Sequence, residues 1–390
     1  MDAGTGKQGP DVEGRIRVLH LIHTLERGGA EQILVSWFKS GGSEQFAYEV
    51  CCLFRGGPHE ATITKAGIPV HIAGMRNPLD LAGLRRAARI IKQAQPDIIH
   101  TQLRYADLVG PLLARWTGCR HVLSTIQNTA DHYFEPGLAI GRAEALLYKW
   151  GSKLFPRNYV ACSEAVAKDI ERHMGNKVPV WVVSNAVDCD RLIAEIKHDP
   201  QQVRSQLGLP DDAVVYISVG RLEYQKGHSD LLQAFAQVKA HSPRAVLLLA
   251  GEGSLRSQLE AQADELGLEE SVIFLGERSD VPELVNASDV VVCSSLYEGL
   301  PVAIAEAMAL GAPVLATRVG GVPQLIEAEV RGIVVEPGQV DALAAQMQRL
   351  YDDEPLRKRL GEAAKKFIRE HFDISLMIQG YEDVYRQMLE

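Results

Sequence analysis

The chain alternates short apolar runs, typical of β-strands, with segments whose apolar residues repeat at the helical period. This alternation occurs in two series, one beginning at Arg15 and the other at Ala213. Strands that alternate with helices form parallel sheets joined by crossover helices. A length of 390 residues is compatible with two or three domains. We therefore predict an α/β protein with two parallel sheets, each in its own domain.

The stretch from Asp289 to Gly311 combines a strand, a loop and a helix in a pattern suited to ligand binding. The helix is expected to start near Pro301, because proline suits the first helical position. Glu298 would then lie at the carboxyl edge of a sheet, where open α/β sheets bind ligands. Glu306 would lie in an apolar helix, where a carboxylate needs a partner such as a sugar diol. Spacing alone leaves open that both are ordinary charges at a solvated helix.

Two other strand ends carry glycines at places suited to a phosphate. Gly28 and Gly29 follow the first strand and precede a helix, and the second series runs from its first strand into Gly220, Arg221 and Lys226. Glycine lets the backbone approach a ligand closely, and a helix start supplies free N–H groups. Arginine can form bidentate hydrogen bonds to phosphate oxygens, and lysine adds a positive point charge. This arrangement predicts a diphosphate clamp, with surface salt bridging as the alternative.

The run 295–314, Ser-Leu-Tyr-Glu-Gly-Leu-Pro…Glu-Ala-Met-Ala…Gly-Ala-Pro-Val, resembles the Glu-x7-Glu signature of retaining glycosyltransferases of the GT-B fold, in particular glycosyltransferase family 4. The runs 28–31 (Gly-Gly-Ala-Glu) and 220–227 (Gly-Arg-Leu-x3-Lys-Gly) also resemble strings of that family. The resemblance extends from about residue 15 to 385. It implies two Rossmann-like domains facing a central cleft. It also implies transfer of a sugar, with retention, from a nucleotide diphosphate sugar to a hydroxyl acceptor, in cell-envelope, exopolysaccharide or glycolipid biosynthesis.

The same resemblance assigns roles to individual positions. Arg221 and Lys226 would stabilise the departing diphosphate, Glu298 would hold the donor sugar as a third catalytic residue, and Glu306 would bind the ribose hydroxyls. Further donor contacts are expected at Gly28, Gly29, Gly220, Gly276, Arg278, Gly299, Leu300 and Pro301. In such enzymes the leaving phosphate is proposed to accept the proton of the acceptor hydroxyl. No metal or other cofactor is required if the two cations neutralise the diphosphate.

The chain departs from the family after the strand 121–126. Many relatives carry a histidine there, where it meets the donor sugar, whereas this chain has Gln127, and His132 is out of register. We therefore assign no catalytic histidine. Gln127, Asn128 and His100 remain possible contacts of the sugar or acceptor, although a lone histidine such as His100 is more often structural.

Other motifs do not carry a site. The six cysteines lack metal-ligand spacing, which favours reduced thiols in a cytoplasmic protein. The run 188–190 (Asp-Cys-Asp) is formally a diphosphate–metal motif, but it lies in the predicted linker. The run 4–9 has the spacing of a dinucleotide-binding loop, but no strand precedes it.

Charge is distributed unevenly along the chain. The net charge is −9, yet residues 1–190 hold 22 Lys and Arg against 19 Asp and Glu. Basic residues gather in 76–92 and 142–157. A basic N-terminal half could face an anionic membrane or a phosphate-bearing acceptor, with a solvated helix face as the alternative. The expected partners are a UDP- or GDP-sugar and a sugar or lipid-linked acceptor, with peripheral contact at the inner membrane face as a further expectation, but no nucleic acid.

The expected organisation has four parts: a disordered segment (1–14), an acceptor-binding domain (15–188), a nucleotide-sugar-binding domain (189–372), and a final helix (373–390) that crosses back to the first domain. Alternative functions are a nucleotide-sugar epimerase or hydrolase on the same fold, and a non-catalytic nucleotide-sugar-binding protein, which the absent histidine suggests. An NAD-dependent dehydrogenase is disfavoured because no G-x-G-x-x-G follows the first strand.

Overall fold

The computed structural model describes residues 14–26, 28–41, 43–77, 80–128, 158–174 and 179–390. Within these residues the chain forms two sheets, of seven and six strands, in which neighbouring strands pair in parallel. The strands of the first sheet are β1 (Ile16–Ile22), β2 (Phe46–Cys52), β3 (Val70–Ile72), β4 (Ile98–Gln102), β5 (His121–Ile126), β6 (Asn158–Ala161) and β7 (Val180–Val182). Those of the second sheet are β8 (Val214–Val219), β9 (Ala245–Ala250), β10 (Val272–Gly276), β11 (Val290–Cys293), β12 (Val314–Thr317) and β13 (Ile333–Val335).

Helices connect the strands in both halves. Those connected with the first sheet are α1 (Gly29–Lys39), α2 (Glu60–Lys65), α3 (Leu81–Ala94), α4 (Arg104–Thr117) and α5 (Glu164–Met174). Two short helices follow, α6 (Cys189–Ala194) and α7 (Pro200–Gln206). The remaining helices are α8 (His228–His241), α9 (Arg256–Glu265), α10 (Val281–Asn286), α11 (Val302–Leu310), α12 (Val322–Leu325), α13 (Val340–Asp352), α14 (Glu354–His371) and α15 (Ile374–Leu389).

The strand order places the binding edge of each sheet. The first sheet runs β3-β2-β1-β4-β5-β6-β7 and the second β10-β9-β8-β11-β12-β13. In both, the order reverses next to the first strand, between β1 and β4 and between β8 and β11. Ligands of open α/β sheets bind beyond the carboxyl ends of the strands at such a reversal. The loops after β1, β4, β8 and β11 are therefore the ones that matter for function.

Helices cover the sheets, and the strands beneath them are therefore buried and apolar. All six residues of β9 (Ala245–Ala250) are buried, and all six are apolar, as expected of a strand covered on both faces. The last helix, α15, belongs to the first sheet's core: Tyr381 and Tyr385 pack with Trp37 and Phe46. One apolar cluster also contains residues of both halves, including Cys162 and Leu300. The two halves therefore pack against each other.

Most elements lie where the periodicity predicts them, with small shifts at their ends. Helix α11 begins at Val302, and Pro301 is its N-cap in an extended conformation (ψ 107°) rather than its first helical residue. The proposed disordered segment lies almost wholly outside the described residues, and the basic cluster 142–157 lies wholly outside them. The domain boundary at 188 stays a prediction. Across the described ranges, no helix is long and apolar enough to cross a membrane.

Candidate active site

A buried ion pair lies at the carboxyl edge of the second sheet. Lys226 Nζ lies 2.5 Å from Glu298 Oε1. The pair joins the loop after β8 to the loop after β11, and Glu298 is only 5% exposed. The carboxylate also accepts hydrogen bonds from Ser295 Oγ at 2.7 Å and Gln225 Nε2 at 3.3 Å. Burial opposes the charge of Lys226, but the charge and hydrogen bond of Glu298 outweigh it, so the pKa of Lys226 is raised.

Glycines let these loops approach each other. Gly227 has a φ of 61°, and a methyl group there would overlap the carbonyl oxygen of Ser294. Gly320 has a φ of 49° and abuts the carbonyl oxygen of Glu298. Both are left-handed conformations that glycine adopts at little cost, so a side chain at either position would push the loops apart. Ser294 Oγ also donates to the carbonyl of Lys226 at 2.9 Å, which fixes the loop that carries the ion pair.

Arg221 reaches the same cluster through Gln225. Its Nη2 donates to Gln225 Oε1 at 3.4 Å, and Gln225 Nε2 donates to the Tyr297 carbonyl at 3.1 Å. The methylene groups of the Lys226 side chain lie over Gly220, whose added methyl would be 3.3 Å from Lys226 Cε. The two cations predicted as a clamp are therefore brought to one edge.

Glu306 lies on α11, half-buried beside a small pocket. The pocket's apolar lining comes from β8, α6, α10 and α11: Leu192, Val219, Val281, Pro282, Val285, Ala303 and Leu310. Burial raises the pKa of Glu306 to about 7, while Arg191 opposes the rise and Glu195 adds to it. A carboxylate in an apolar pocket needs a polar partner. This arrangement suits a pair of sugar hydroxyls.

The first half supplies the opposite wall of the cleft. A methyl group on Gly29 would lie 3.8 Å from Val302 Cγ2, at the start of α11. At the end of β5, the Gln127 carbonyl abuts Gly299 so closely that a methyl group there would overlap it. Gln127 Oε1 accepts a hydrogen bond from Asn185 at 2.9 Å. The loops containing Gly29 and Gln127 therefore both meet the loop of Glu298. Asn128, the neighbouring residue, is half-buried.

The structure does not bring His100 into the cleft. It is fully buried under α15. Its Nδ1 lies 2.7 Å from the Tyr385 hydroxyl and its Nε2 lies 2.6 Å from Thr125 Oγ1. Burial, with a smaller effect of His20, holds the pKa of His100 well below its usual value. Because both ring nitrogens are engaged in the core, the position corrects the expectation of a sugar or acceptor contact and favours the structural alternative.

Arg278 and Gly276 lie at the edge of the second sheet, beyond β10. Arg278 is bidentate to Asp280, with Nε–Oδ1 at 2.8 Å and Nη2–Oδ2 at 2.5 Å. Gly276 has a φ of 70°, and its carbonyl accepts from the backbone N–H of Gly251 at 2.8 Å. The guanidinium of Arg278 is thus occupied by a neighbouring carboxylate. Its part in donor binding stays a prediction, and the backbone around Gly276 is the better candidate.

Three contributors escaped the sequence patterns. Gln225 and Ser295 hold Glu298, and Glu31 of α1 is a buried carboxylate on the facing wall. All three lie within runs that resemble the family, so their positions were usable signals, although no role was assigned to any of them. Within the described ranges no group of three or more His, Cys, Asp or Glu side chains could hold a metal ion.

Two Rossmann-like halves with a cation–carboxylate cluster in the cleft between them define a transferase of the GT-B type. The comparisons agree. Residues 17–191 match the family model "Glycosyltransferase Family 4", and residues 199–367 match "Glycosyl transferases group 1". The chain is 30% identical, over 95% of its length and 98% of the relative's, to the lipopolysaccharide core biosynthesis glycosyltransferase LpsD of Rhizobium meliloti. It is also 25% identical to UDP-Gal:alpha-D-GlcNAc-diphosphoundecaprenol alpha-1,3-galactosyltransferase of Escherichia coli, over 96% of its own length and 98% of the relative's.

Solved structures show the same fold. HepE of Anabaena in complex with UDP and glucose superposes with a TM-score of 0.82 at 24% identity, covering 96% of this chain and 100% of that chain. WaaG, a glycosyltransferase involved in lipopolysaccharide biosynthesis, gives a TM-score of 0.76 at 16% identity, and the match covers 94% of this chain and 99% of WaaG. The chain belongs to the family 4 glycosyltransferases and has the GT-B fold. It is therefore an enzyme, and the predicted family and fold class are confirmed.

Proposed function

We propose that this enzyme transfers a hexose from a uridine diphosphate sugar to a hydroxyl of a lipid-linked or oligosaccharide acceptor, with retention of the anomeric configuration. The observation that carries the proposal is the Lys226–Glu298 pair with Arg221 beside it, at the edge of the second sheet that faces Gly29 of the first half. Two cations at this edge can neutralise a departing diphosphate, and such electrostatic stabilisation is usually the largest single catalytic effect.

The chemistry needs no separate base within the cluster. The bond from the anomeric carbon to the diphosphate oxygen breaks as the bond to the acceptor oxygen forms. The proton of the acceptor hydroxyl passes to the departing phosphate oxygen on the same face. Arg221 and Lys226 stabilise the negative charge that develops there. Glu298, fixed by three donors, orients Lys226 and reaches toward the sugar, and Glu306 accepts hydrogen bonds from the ribose hydroxyls.

Relatives and neighbours support the choice of donor. HepE structures contain UDP or UDP-glucose, and the Escherichia coli relative is named for UDP-galactose. The same relative's acceptor is a diphosphoundecaprenol-linked sugar, and LpsD acts in lipopolysaccharide core biosynthesis. We therefore favour a uridine nucleotide and an acceptor of the cell envelope. A GDP-sugar is the alternative that the donor assay separates.

We propose metal-independent turnover, because the two cations take the place that a divalent ion has in other transferases. The Asp188-Cys-Asp190 motif supports this view. Asp188 is used as the N-cap of α6, where its side chain accepts from the Arg191 backbone N–H at 2.9 Å. Asp190 forms an ion pair with Arg369 at 3.0 Å. Asp188 thus has a capping role, and Asp190 is paired with Arg369 at the surface.

A basic face of the first half suits contact with an anionic membrane. Helix α3 has no acidic residue between its ends, and Arg85, Arg89 and Lys92 are exposed on it. The neighbouring α4 exposes Leu112 (45%) and Trp116 (50%), which are four residues apart on one side of the helix. Lysine and arginine beside exposed aromatic and aliphatic side chains are typical of a surface that binds at a lipid interface. We call this set of side chains the basic–apolar face: Arg85, Arg89, Lys92, Leu112 and Trp116.

Product analysis tests the proposal. The purified enzyme is incubated with UDP-galactose or UDP-glucose and an undecaprenyl diphosphate-linked N-acetylglucosamine, with GDP-mannose as the second donor class. Nuclear magnetic resonance then gives the anomeric configuration of the product. An α-linked disaccharide from a UDP-sugar supports the proposal. A β-linked product contradicts retention, and free sugar or an epimer without acceptor glycosylation contradicts transfer.

A further inference from the structure

Glu31 is a buried carboxylate that the roles above leave without a task. It is the third residue of α1 and is only 7% exposed. Its side chain folds back over Gly28, where an added methyl group would overlap Oε2, and it accepts a hydrogen bond from its own backbone N–H. The carboxylate therefore lies at the amino end of α1, where free N–H groups and the helix dipole favour a negative charge.

Glu31 also faces the second half of the protein. The charge of Arg221 acts on it across the cleft, and Gly29 of the same turn lies against Val302. Burial raises the pKa of Glu31 to about 7, against the lowering effects of its own N–H and of Arg221. The remaining charged group that acts on it among the described residues is Glu26, which adds to the rise and is itself paired with Arg55 at 3.0 Å.

The amino end of α1 suits an anion from one side of the cleft, and Arg221 suits it from the other. The carboxylate of Glu31, folded back over Gly28 and acted on by the charge of Arg221, is an anion at this end of the helix. We propose that Glu31 is a stand-in for the donor's diphosphate, and that it gives up its negative charge by taking up a proton when the donor binds. This inference rests on the proposed function, since it assumes that Arg221 contacts the diphosphate.

The proposal makes donor binding dependent on pH in one direction. At about pH 8 most Glu31 side chains are ionised in the free enzyme, because their pKa is about 7. Two further negative charges nearby disfavour the carboxylate form, so a proton is taken up on binding. Affinity for the donor should then fall by up to about tenfold per pH unit above neutral pH. The Glu31→Gln variant has no such proton, so its affinity should fall less steeply with pH than that of the wild type, and Glu306, whose pKa is also raised to about 7, titrates equally in both proteins.

The test is isothermal titration of the enzyme with UDP-glucose at about pH 8, in two buffers of different ionisation enthalpy. The diphosphate of UDP-glucose is esterified at both ends and does not titrate near neutral pH, so proton uptake reports on the protein. We expect uptake of about 0.5 to 1 proton in the wild type and its loss in Glu31→Gln. Glu31→Asp, which keeps a carboxylate, should retain part of the uptake, and Glu26→Gln is the matched control that should retain nearly all of it.

The outcomes separate this inference from the proposed function. Equal proton uptake by wild type and Glu31→Gln, with UDP-glucose bound by both, would overturn the inference and leave the proposed function standing. The titration is repeated with GDP-mannose, and a wild type that binds neither donor would overturn both. Thermal unfolding of each variant verifies that it is folded. A Glu31→Gln protein that binds UDP-glucose more weakly than wild type at about pH 8 would also contradict the inference, because removing a competing charge should strengthen binding.

Discussion

Replacing Lys226 by methionine removes the cation of the buried pair while keeping an unbranched side chain. Glu298 would remain 5% exposed, with Ser295 and Gln225 as its hydrogen-bond donors. Removing one partner of a fully buried ion pair costs about 3–5 kcal/mol. The Lys226 side chain is 20% exposed and two neutral donors remain, so we expect the free energy of unfolding to fall by about 1–3 kcal/mol. Urea denaturation measures this loss.

The same substitution should reduce catalysis by more than it reduces stability. Loss of one preorganised charge at the leaving group lowers kcat by about 10²–10³-fold. A double variant, Lys226→Met with Glu298→Gln, should regain stability because no unpaired charge is left buried. It should not regain activity. Initial rates of nucleotide release in the presence of acceptor give kcat for each variant at saturating donor.

A matched control is available in the same half. Lys358 Nζ lies 2.6 Å from Glu354 Oε1, but these side chains are 71% and 60% exposed. Lys358→Met should change the free energy of unfolding by less than about 0.5 kcal/mol and leave kcat unchanged. A folded Lys226→Met enzyme with the kcat of the wild type would refute the assignment of Lys226 to the leaving diphosphate.

Three further predictions concern other parts of the molecule. Glu306→Gln should abolish transfer. It should also raise the free energy of unfolding by about 1–3 kcal/mol at about pH 8 but little at about pH 5, because a carboxyl group with a raised pKa destabilises the folded state as pH rises. Thermal unfolding at the two pH values tests this. Gly299→Ala should lower kcat at least about tenfold, since its methyl group meets the Gln127 carbonyl; an unchanged rate would contradict the close contact. Leu112→Ser with Trp116→Ser should reduce sedimentation with phosphatidylglycerol vesicles but leave kcat on a soluble acceptor unchanged; equal sedimentation of variant and wild type would exclude the basic–apolar face.

The order of strands and helices along the chain could be predicted because local sequence patterns determine it. Buried parallel strands such as β9 read as continuous apolar runs, and the glycines and charges that follow β8 and β11 indicate the binding edge. Parallel strand ends meet at one edge of a sheet. With the resemblance to the family, this assigned Lys226 and Glu298, 72 residues apart in sequence, to one donor site, and the structure pairs them.

Contacts made by distant elements could not be predicted in this way. His100 was expected as a contact of the sugar or acceptor, but it lies in the middle of β4, where Tyr385 of α15 engages it from 285 residues away. Arg278 was expected to contact the donor, although its guanidinium is bidentate to Asp280, two residues later. Glu31 reads as a helix-start carboxylate, and its burial and the effect of Arg221 on it emerge only in the folded chain. Each of these depends on tertiary packing that periodicity does not encode.

The most direct test of the central claim is the thermal unfolding of the wild type and of Lys226→Met with UDP, GDP, ADP and their sugars, in EDTA and in magnesium. A ligand that binds the folded state raises Tm by mass action. The account predicts a clear rise with uridine nucleotides, equal in EDTA and magnesium, and a much smaller rise in Lys226→Met. No rise with any nucleotide, or a rise that requires magnesium, would contradict a nucleotide-sugar site built on Arg221 and Lys226.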